Sequence, residues 1–406
     1  MSHSYKIFNR LKKMPSKVET IVKVLFVLLT VQYVISYYAG EAGIFPRYVL
    51  YIFFTFPIIN LVLIYFNTRV KWSMYRFVFI AYFFLIASNS VIQAQGEVGE
   101  IVANFIMYSA ILAAFYFSFI GVSFLFDVFK LVALVGIVGF VYIMGTESID
   151  LESAIRRGYT WTEMFYYASL YWAVIPAVIL SFLYERKILI VVLYWIFAII
   201  LNLIFLKRFI LVDSILLLLV VLFINFNKDK KLISGFKLYF IMASLVGLSL
   251  YFASEFIVTL FDATNERMEF TTDDVSGFDR FVEYRNYFEK EATIIDFFIG
   301  KGFSSFHKGL GKQAYSLHTG WANFIFKGGV IWLILILIPF FKMILLIGKF
   351  KKLPVDIQFS VALLLIYVPR LFYTNMDNFQ PIMLVFFYAL FKVADYKNSK
   401  PTLPIV

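Results

Sequence analysis

Residues 321–346 read WANFIFKGGVIWLILILIPFFKMILL. Three side chains, Asn323, Lys327 and Lys342, interrupt an otherwise apolar run. The run exceeds the roughly 20 residues that a helix needs to cross the hydrocarbon core of a bilayer. It predicts a membrane-spanning helix.

The same criterion finds about twelve candidate spans, at 21–38, 47–66, 74–92, 99–118, 124–144, 165–183, 188–206, 209–226, 236–256, 321–346, 357–373 and 379–393. Turn and charge signals separate them, among them Asn67-Thr68-Arg69, Gln95-Gly96-Glu97, Glu185-Arg186-Lys187, Lys228-Asp229-Lys230-Lys231 and Lys349 to Lys352. No small-residue cleavage site follows the first apolar stretch, which reads as a retained helix. Composition agrees: 62% of the 406 residues are hydrophobic, 50 are Phe and 27 are Tyr, and only 16% are charged against about a quarter in soluble proteins. The expected class is an all-α polytopic membrane protein, which excludes a soluble enzyme, a secreted disulfide domain and a nucleic-acid binder. With no Cys, disulfides, thiol nucleophiles and Cys metal sites are excluded too. No internal repeat is visible, so an inverted-repeat transporter gains no support.

The net charge of +11 acquires meaning loop by loop. With the N-terminus inside, most of the 37 Lys and Arg lie on the inner side. The short outer segments hold only Arg47, Arg156, Arg157, Lys207, Arg208, Lys327 and Arg370. Both termini are therefore expected in the cytoplasm. Most of the 26 Asp and Glu fall on the outer side, which makes the few outer cations worth individual inspection. The chain divides into a helical region 1–256, a large outer loop 257–320, and a second helical region with a cytoplasmic tail, 321–406. The loop holds His307 and His318 and is rich in aromatic residues, so it is expected to be ordered as short amphipathic helices on the outer interface.

Four constellations stand out. Lys207-Arg208 are adjacent cations at an outer helix end, placed to attract a lipid-linked phosphate or to reach lipid head groups. Asp213, in the next helix, is either a partner for a nearby cation or a separate polar contact. Ser276-Gly277-Phe278-Asp279-Arg280, with Arg285, offers guanidinium forks for phosphate oxygens; the alternative is ordinary pairing with Asp279, Glu283 or Glu289 on one helix face. Gly300-Lys301-Gly302-Phe303 to Leu317-His318-Thr319-Gly320 combines glycines that permit close backbone approach with a histidine at a helix start, suited either to general-base work or to a structural role. Neither metal-ligand spacing nor a Ser-His-Asp arrangement appears, and no metal or other cofactor is expected.

Taken in order, these features resemble the O-antigen polymerase and O-antigen ligase superfamily of bacterial envelope glycosyltransferases. The resemblance rests on the number of spans, the long outer loop near the C-terminal third, the basic pair Lys207-Arg208, and Arg280 after a Ser-Gly turn. It also rests on Gly300-Lys301-Gly302-Phe303, His318 and Lys327-Gly328-Gly329. The motifs cover about residues 205–330; Thr319 and Lys207 depart from the pattern. The resemblance implies a helical fold of glycosyltransferase type C in the bacterial inner membrane, with its site facing the periplasm. It implies a donor glycan on undecaprenyl diphosphate and an acceptor that is a lipid-linked repeat unit (polymerase) or lipid A core (ligase). Arg208 and Arg280 correspond to diphosphate-binding arginines, Lys207, Arg285 and Arg370 are further candidate contacts, and His318 corresponds to the essential histidine. A chain-length regulator protein is a candidate partner, and membrane lipid a necessary one. A lipid-linked oligosaccharide flippase is the alternative from another class, weakened by the dominant loop and the absence of two similar halves.

Overall fold

The computed structural model describes residues 73–92, 174–184, 208–227, 283–303, 305, 317, 320–373 and 380–396, with scattered helical positions between 108 and 134 and between 190 and 194. The expected spans at 21–38, 47–66 and 236–256 lie outside the described residues. The described residues are helical apart from turns, and no strand occurs among them. The elements are α1 (Met74–Ile92), α2 (Val174–Tyr184), α3 (Arg208–Phe226), a π-turn (Tyr287–Glu291), α4 (Ile294–Ile299), α5 (Gly320–Ile347), α6 (Val355–Tyr373) and α7 (Gln380–Asp395). Three of them, α1, α5 and α6 through Phe372, are long and apolar enough to cross a membrane. This is an all-α arrangement of membrane-protein character.

The hydrophobic stretches become helices because only a helix satisfies its own backbone groups away from water. Where α5 breaks that rule, a neighbour repairs it. Pro339 inside α5 has no N–H to give the Leu335 carbonyl four residues back. The Tyr75 hydroxyl of α1 donates to that carbonyl at 2.9 Å. One heptad along α1, the Tyr82 hydroxyl donates to the Gly328 carbonyl at 2.8 Å. That carbonyl is freed by a second defect, Gly329, whose φ of 71° and ψ of −179° divide α5 into two helical pieces. Between the two tyrosines, Phe79 packs on Trp332 with ring centroids 4.5 Å apart. Tyr75, Phe79 and Tyr82 lie on one helical face, so α1 runs antiparallel along α5 and patches both of its irregularities.

The core of the bundle is almost wholly aromatic and aliphatic, with α6 and α7 buried along most of their length. Polar closures mark its two ends. At one end Arg76 is ion-paired with Asp395, Ser73 donates to the same carboxylate at 2.5 Å, Lys342 donates to the Ala394 carbonyl at 2.6 Å, and Lys392 meets Asp356 at 3.3 Å. The start of α1, the end of α7 and the start of α6 thus share this end, which also carries Lys349, Lys351 and Lys352. At the opposite end lie the end of α1, the start of α5, the end of α6 and the Asp213 turn of α3.

Candidate functional site

Gly300 to Phe303 and Phe326 to Gly329 meet at that opposite end, although about two dozen residues separate them. The break at Gly329 leaves the carbonyls before it without donors from the next helical turn. The Lys301 N–H donates to the Phe326 carbonyl and the Gly302 N–H to the Lys327 carbonyl, both at 2.9 Å. Such an approach leaves no room for side chains. A Cβ on Gly302 would stand 2.6 Å from the Ser90 Cα, and one on Gly329 would overlap the Phe298 carbonyl. Gly300, Gly302 and Gly329 all have positive φ, which glycine adopts without steric cost.

α1 holds the other side of the junction. Asn89 Nδ2 donates to the Gly300 carbonyl at 2.8 Å, and Ser90 Oγ accepts the Phe303 N–H at 2.5 Å. The Phe303 ring stacks on Tyr108 at 4.0 Å. Lys327 is fully buried here, with Nζ donating to the carbonyls of Phe303 at 2.8 Å and Ser305 at 3.0 Å.

The loop reaches this junction through ordered helix. Residues 283–286 lead into the π-turn, closed by the Ala292 N–H donating to the Tyr287 carbonyl at 2.9 Å. Tyr287 is buried with Leu317, Ala322 and Phe326 in a second small core against the start of α5. Burial, then the nearby Asp296 and Glu291 carboxylates, pushes the Tyr287 phenol far above its ordinary pKa, so it stays protonated. Lys301 Nζ donates to the Glu291 carbonyl at 3.2 Å and lies over the Tyr287 ring. Leu317 is pinned as its N–H donates to the buried Asn323 Oδ1 at 3.0 Å. The residue before His318 is therefore fixed against the first turn of α5, which begins at Gly320.

Of the expected site residues, Lys207, Arg280 and His318, as well as His307, lie outside the described residues. Arg208 opens α3; nothing of its side chain belongs to the described part. Arg285 is solvent-exposed and paired with Glu289 four residues on, at 3.0 Å, an ordinary pairing along one helix face. Arg370 is fully buried in α6, and its Nη1 donates to Asp213 Oδ2 of α3 at 2.7 Å. Asp213 thus has a cation partner, supplied from 157 positions away. Among the described residues, no group of three or more His, Asp or Glu side chains is placed to hold a metal ion.

Sequence alone assigned no role to Asn89, Ser90 or Asn323. A signal existed for each: Asn89-Ser90 are neighbouring polar residues at the end of an apolar run, and Asn323 and Lys327 stand four apart, on one face of α5. In comparisons with known proteins, no family model matches the chain, nor does any curated protein or solved structure.

Proposed function

We propose that this protein is a glycan polymerase of the bacterial inner membrane. It joins oligosaccharide repeat units carried on undecaprenyl diphosphate, as in O-antigen or capsule synthesis. In this reading the chain has twelve spans, both termini in the cytoplasm, a fold of glycosyltransferase type C and a site open to the periplasm. The observation that carries the proposal is the junction itself. Gly300-Lys301-Gly302-Phe303 and Lys327-Gly328-Gly329, two of the motifs behind the family resemblance, are docked on each other by the Lys301 and Gly302 N–H bonds. Next to them, Leu317 is held against α5 beside His318.

The chemistry needs few protein groups. An acceptor hydroxyl attacks the anomeric carbon of the donor glycan. The bond from that carbon to the diphosphate oxygen breaks, and undecaprenyl diphosphate leaves as an anion. Arg208 and Arg280, with Lys207, neutralise the charge that develops on it, and Arg285 is a candidate third contact, whereas Arg370 is held in its buried pair with Asp213. His318 accepts the proton lost by the hydroxyl, a role typically worth about 10²–10⁴-fold. Cations take the place of a metal in this scheme.

The test is polymerisation of a purified lipid-linked repeat unit by the reconstituted protein. Arg208→Ala is expected to lower the rate by about two orders of magnitude or more, since removing a charge-assisted contact costs about 2–5 kcal/mol. His318→Ala is expected to be severe, His307→Ala mild, and excess EDTA without effect. Activity lost in EDTA and restored by magnesium would overturn the metal-free scheme. Transfer to lipid A core without chain growth would identify a ligase instead.

A further inference from the structure

The helix α4, with sequence IIDFFI, is short and sits in a loop expected on the outer interface, yet it is placed unlike a surface helix. Its end lies on Gly329: the Phe298 carbonyl and the Ile299 nitrogen are the groups that a Cβ on Gly329 would strike. Gly329 is about 13 Å along α5 from Gly320 at 1.5 Å per residue. The register on α1 agrees. Tyr82, whose hydroxyl is 3.4 Å from the Phe298 carbonyl, is about 15 Å below the end of that helix. From there the chain climbs beside α1, reaching Asn89 with Gly300 and Ser90 with Phe303. Both α1 and α5 are long and apolar enough to cross a membrane. The loop therefore dips alongside two spans rather than resting above them.

Many of the polar groups of this dip close within the protein. Thr293 Oγ1 accepts the Asp296 N–H at 3.1 Å, while Asp296 Oδ2 accepts the Thr293 N–H at 2.9 Å and its hydroxyl at 2.8 Å. Asp296, the only charge in α4, is thereby buried. The N–H groups of Phe297, Gly300, Lys301, Gly302 and Phe303 all donate to protein acceptors. Non-helical backbone survives at membrane depth only under this condition. What α4 turns outward is apolar, from 41% exposure at Phe297 to 77% at Ile294, with Ile295 and Phe298 between. The exposed apolar faces of its neighbours continue this surface, through Phe84 and Leu85 on α1 and Ile331 and Ile334 on α5.

We propose that residues 293–303 form a re-entrant element whose helix α4 is immersed in one leaflet, with Ile294, Ile295, Phe297 and Phe298 against lipid acyl chains. This is independent of the glycan-polymerase reading and requires no turnover to test. The chain has no native Cys, so single cysteines report cleanly. Phe297→Cys and Ile295→Cys are compared in liposomes with Ile331→Cys on the apolar face of α5 and Glu289→Cys on the exposed polar turn. Thiolate is the reactive form, and each unit by which apolar surroundings raise the thiol pKa slows maleimide labelling about tenfold. Labelling at 297 and 295 at least about tenfold slower than at 289 is expected on that basis. Nitroxides on the same cysteines should collide with oxygen in preference to a nickel chelate, as at 331. Labelling as fast as at 289, with collisions favouring the chelate, would place α4 in water and overturn the proposal. Shielding of both positions from oxygen and chelate alike would also overturn it, because a protein surface rather than lipid would then cover the helix.

Discussion

At one end of the bundle Arg76 meets Asp395 and Lys392 meets Asp356; at the other Arg370 meets Asp213. The chemistry is the same and the surroundings are not. Asp395 and Asp356 remain 28% and 33% exposed, so water still reaches both carboxylates. Arg370 and Asp213 are 1% and 0% exposed. Charges taken out of water lose several kcal/mol each and recover it only through close, well-formed pairing. The enclosed pair therefore demands that α3 and α6 keep one fixed relation, whereas at the other end the carboxylates keep a hydrated side although Arg76 itself is buried. The enclosed pair lies at the end where the glycine junction also requires backbone precision.

The sharpest way to break this comparison is to remove one partner of the enclosed pair. Arg370→Leu leaves Asp213 buried and alone and is expected to cost about 3–5 kcal/mol, read as thermal unfolding in detergent. Replacing Asp213 by Leu as well should restore much of that loss, since a matched apolar pair is often neutral. A single variant that unfolds like wild type would mean the pair is already hydrated.

The glycine junction comes second. Gly329→Ala and Gly302→Ala each force a Cβ into backbone at positive φ. A non-glycine residue held at such a positive φ costs about 1–3 kcal/mol, and overpacking adds about 1–3 kcal/mol. Gly348 is the internal control, because nothing lies within 4 Å of a Cβ placed there. Gly348→Ala is expected to change stability by no more than about 0.5 kcal/mol. Equal losses at all three positions would show that close approach is not what the junction glycines provide.

Sequence gave access to the helices and much less to what joins them. The stretches 74–92, 209–226, 321–346, 357–373 and 379–393 correspond to α1, α3, α5, α6 and α7 within two residues at each end. Apolar length alone fixes such limits, because each polar residue at an end carries a large transfer cost. The Asp213–Arg370 pair was invisible in partner choice, since hydropathy says nothing about which helices touch. The glycines at 300, 302, 328 and 329 could be flagged as permissive, but that they face one another depends on the break at Gly329. Tyr75 and Tyr82 looked like two more aromatic residues among 27 tyrosines, and only the freed carbonyls of Leu335 and Gly328 give them a task.

At the more accessible end, Asp395→Asn removes the charge facing Arg76 while keeping the shape. The Ser73 hydroxyl and the Arg76 guanidinium both donate to this carboxylate. Arg76 also donates to the Phe115 carbonyl at 3.1 Å and lies over the Phe115 and Phe391 rings, so it keeps other partners. A loss of about 1–2 kcal/mol is expected, below that of the enclosed pair, because hydrogen bonds to charged groups contribute about 1.5–3 kcal/mol before exposure is discounted. A loss as large as that of Arg370→Leu would erase the distinction between the two ends.

The smallest structural effect belongs to Arg285, and for that reason it offers the cleanest functional test. Its pair with Glu289 spans one helical turn at 67% and 56% exposure, and such pairs contribute about 0.3–0.5 kcal/mol. Arg285→Ala should therefore leave the unfolding temperature nearly unchanged, and salt should weaken even that small difference. If the protein is the proposed polymerase, any large change in turnover then comes from substrate, not from a damaged fold. If Arg285 contacts the donor diphosphate, Arg285→Ala lowers the rate by about an order of magnitude or more and Arg285→Lys restores part of it, because an ammonium keeps the charge but not the planar fork. Glu289→Gln sharpens the reading, since releasing the guanidinium from its carboxylate should leave turnover unchanged or raised. Full turnover in Arg285→Ala would remove this residue from the site and leave its pairing with Glu289 as its whole role.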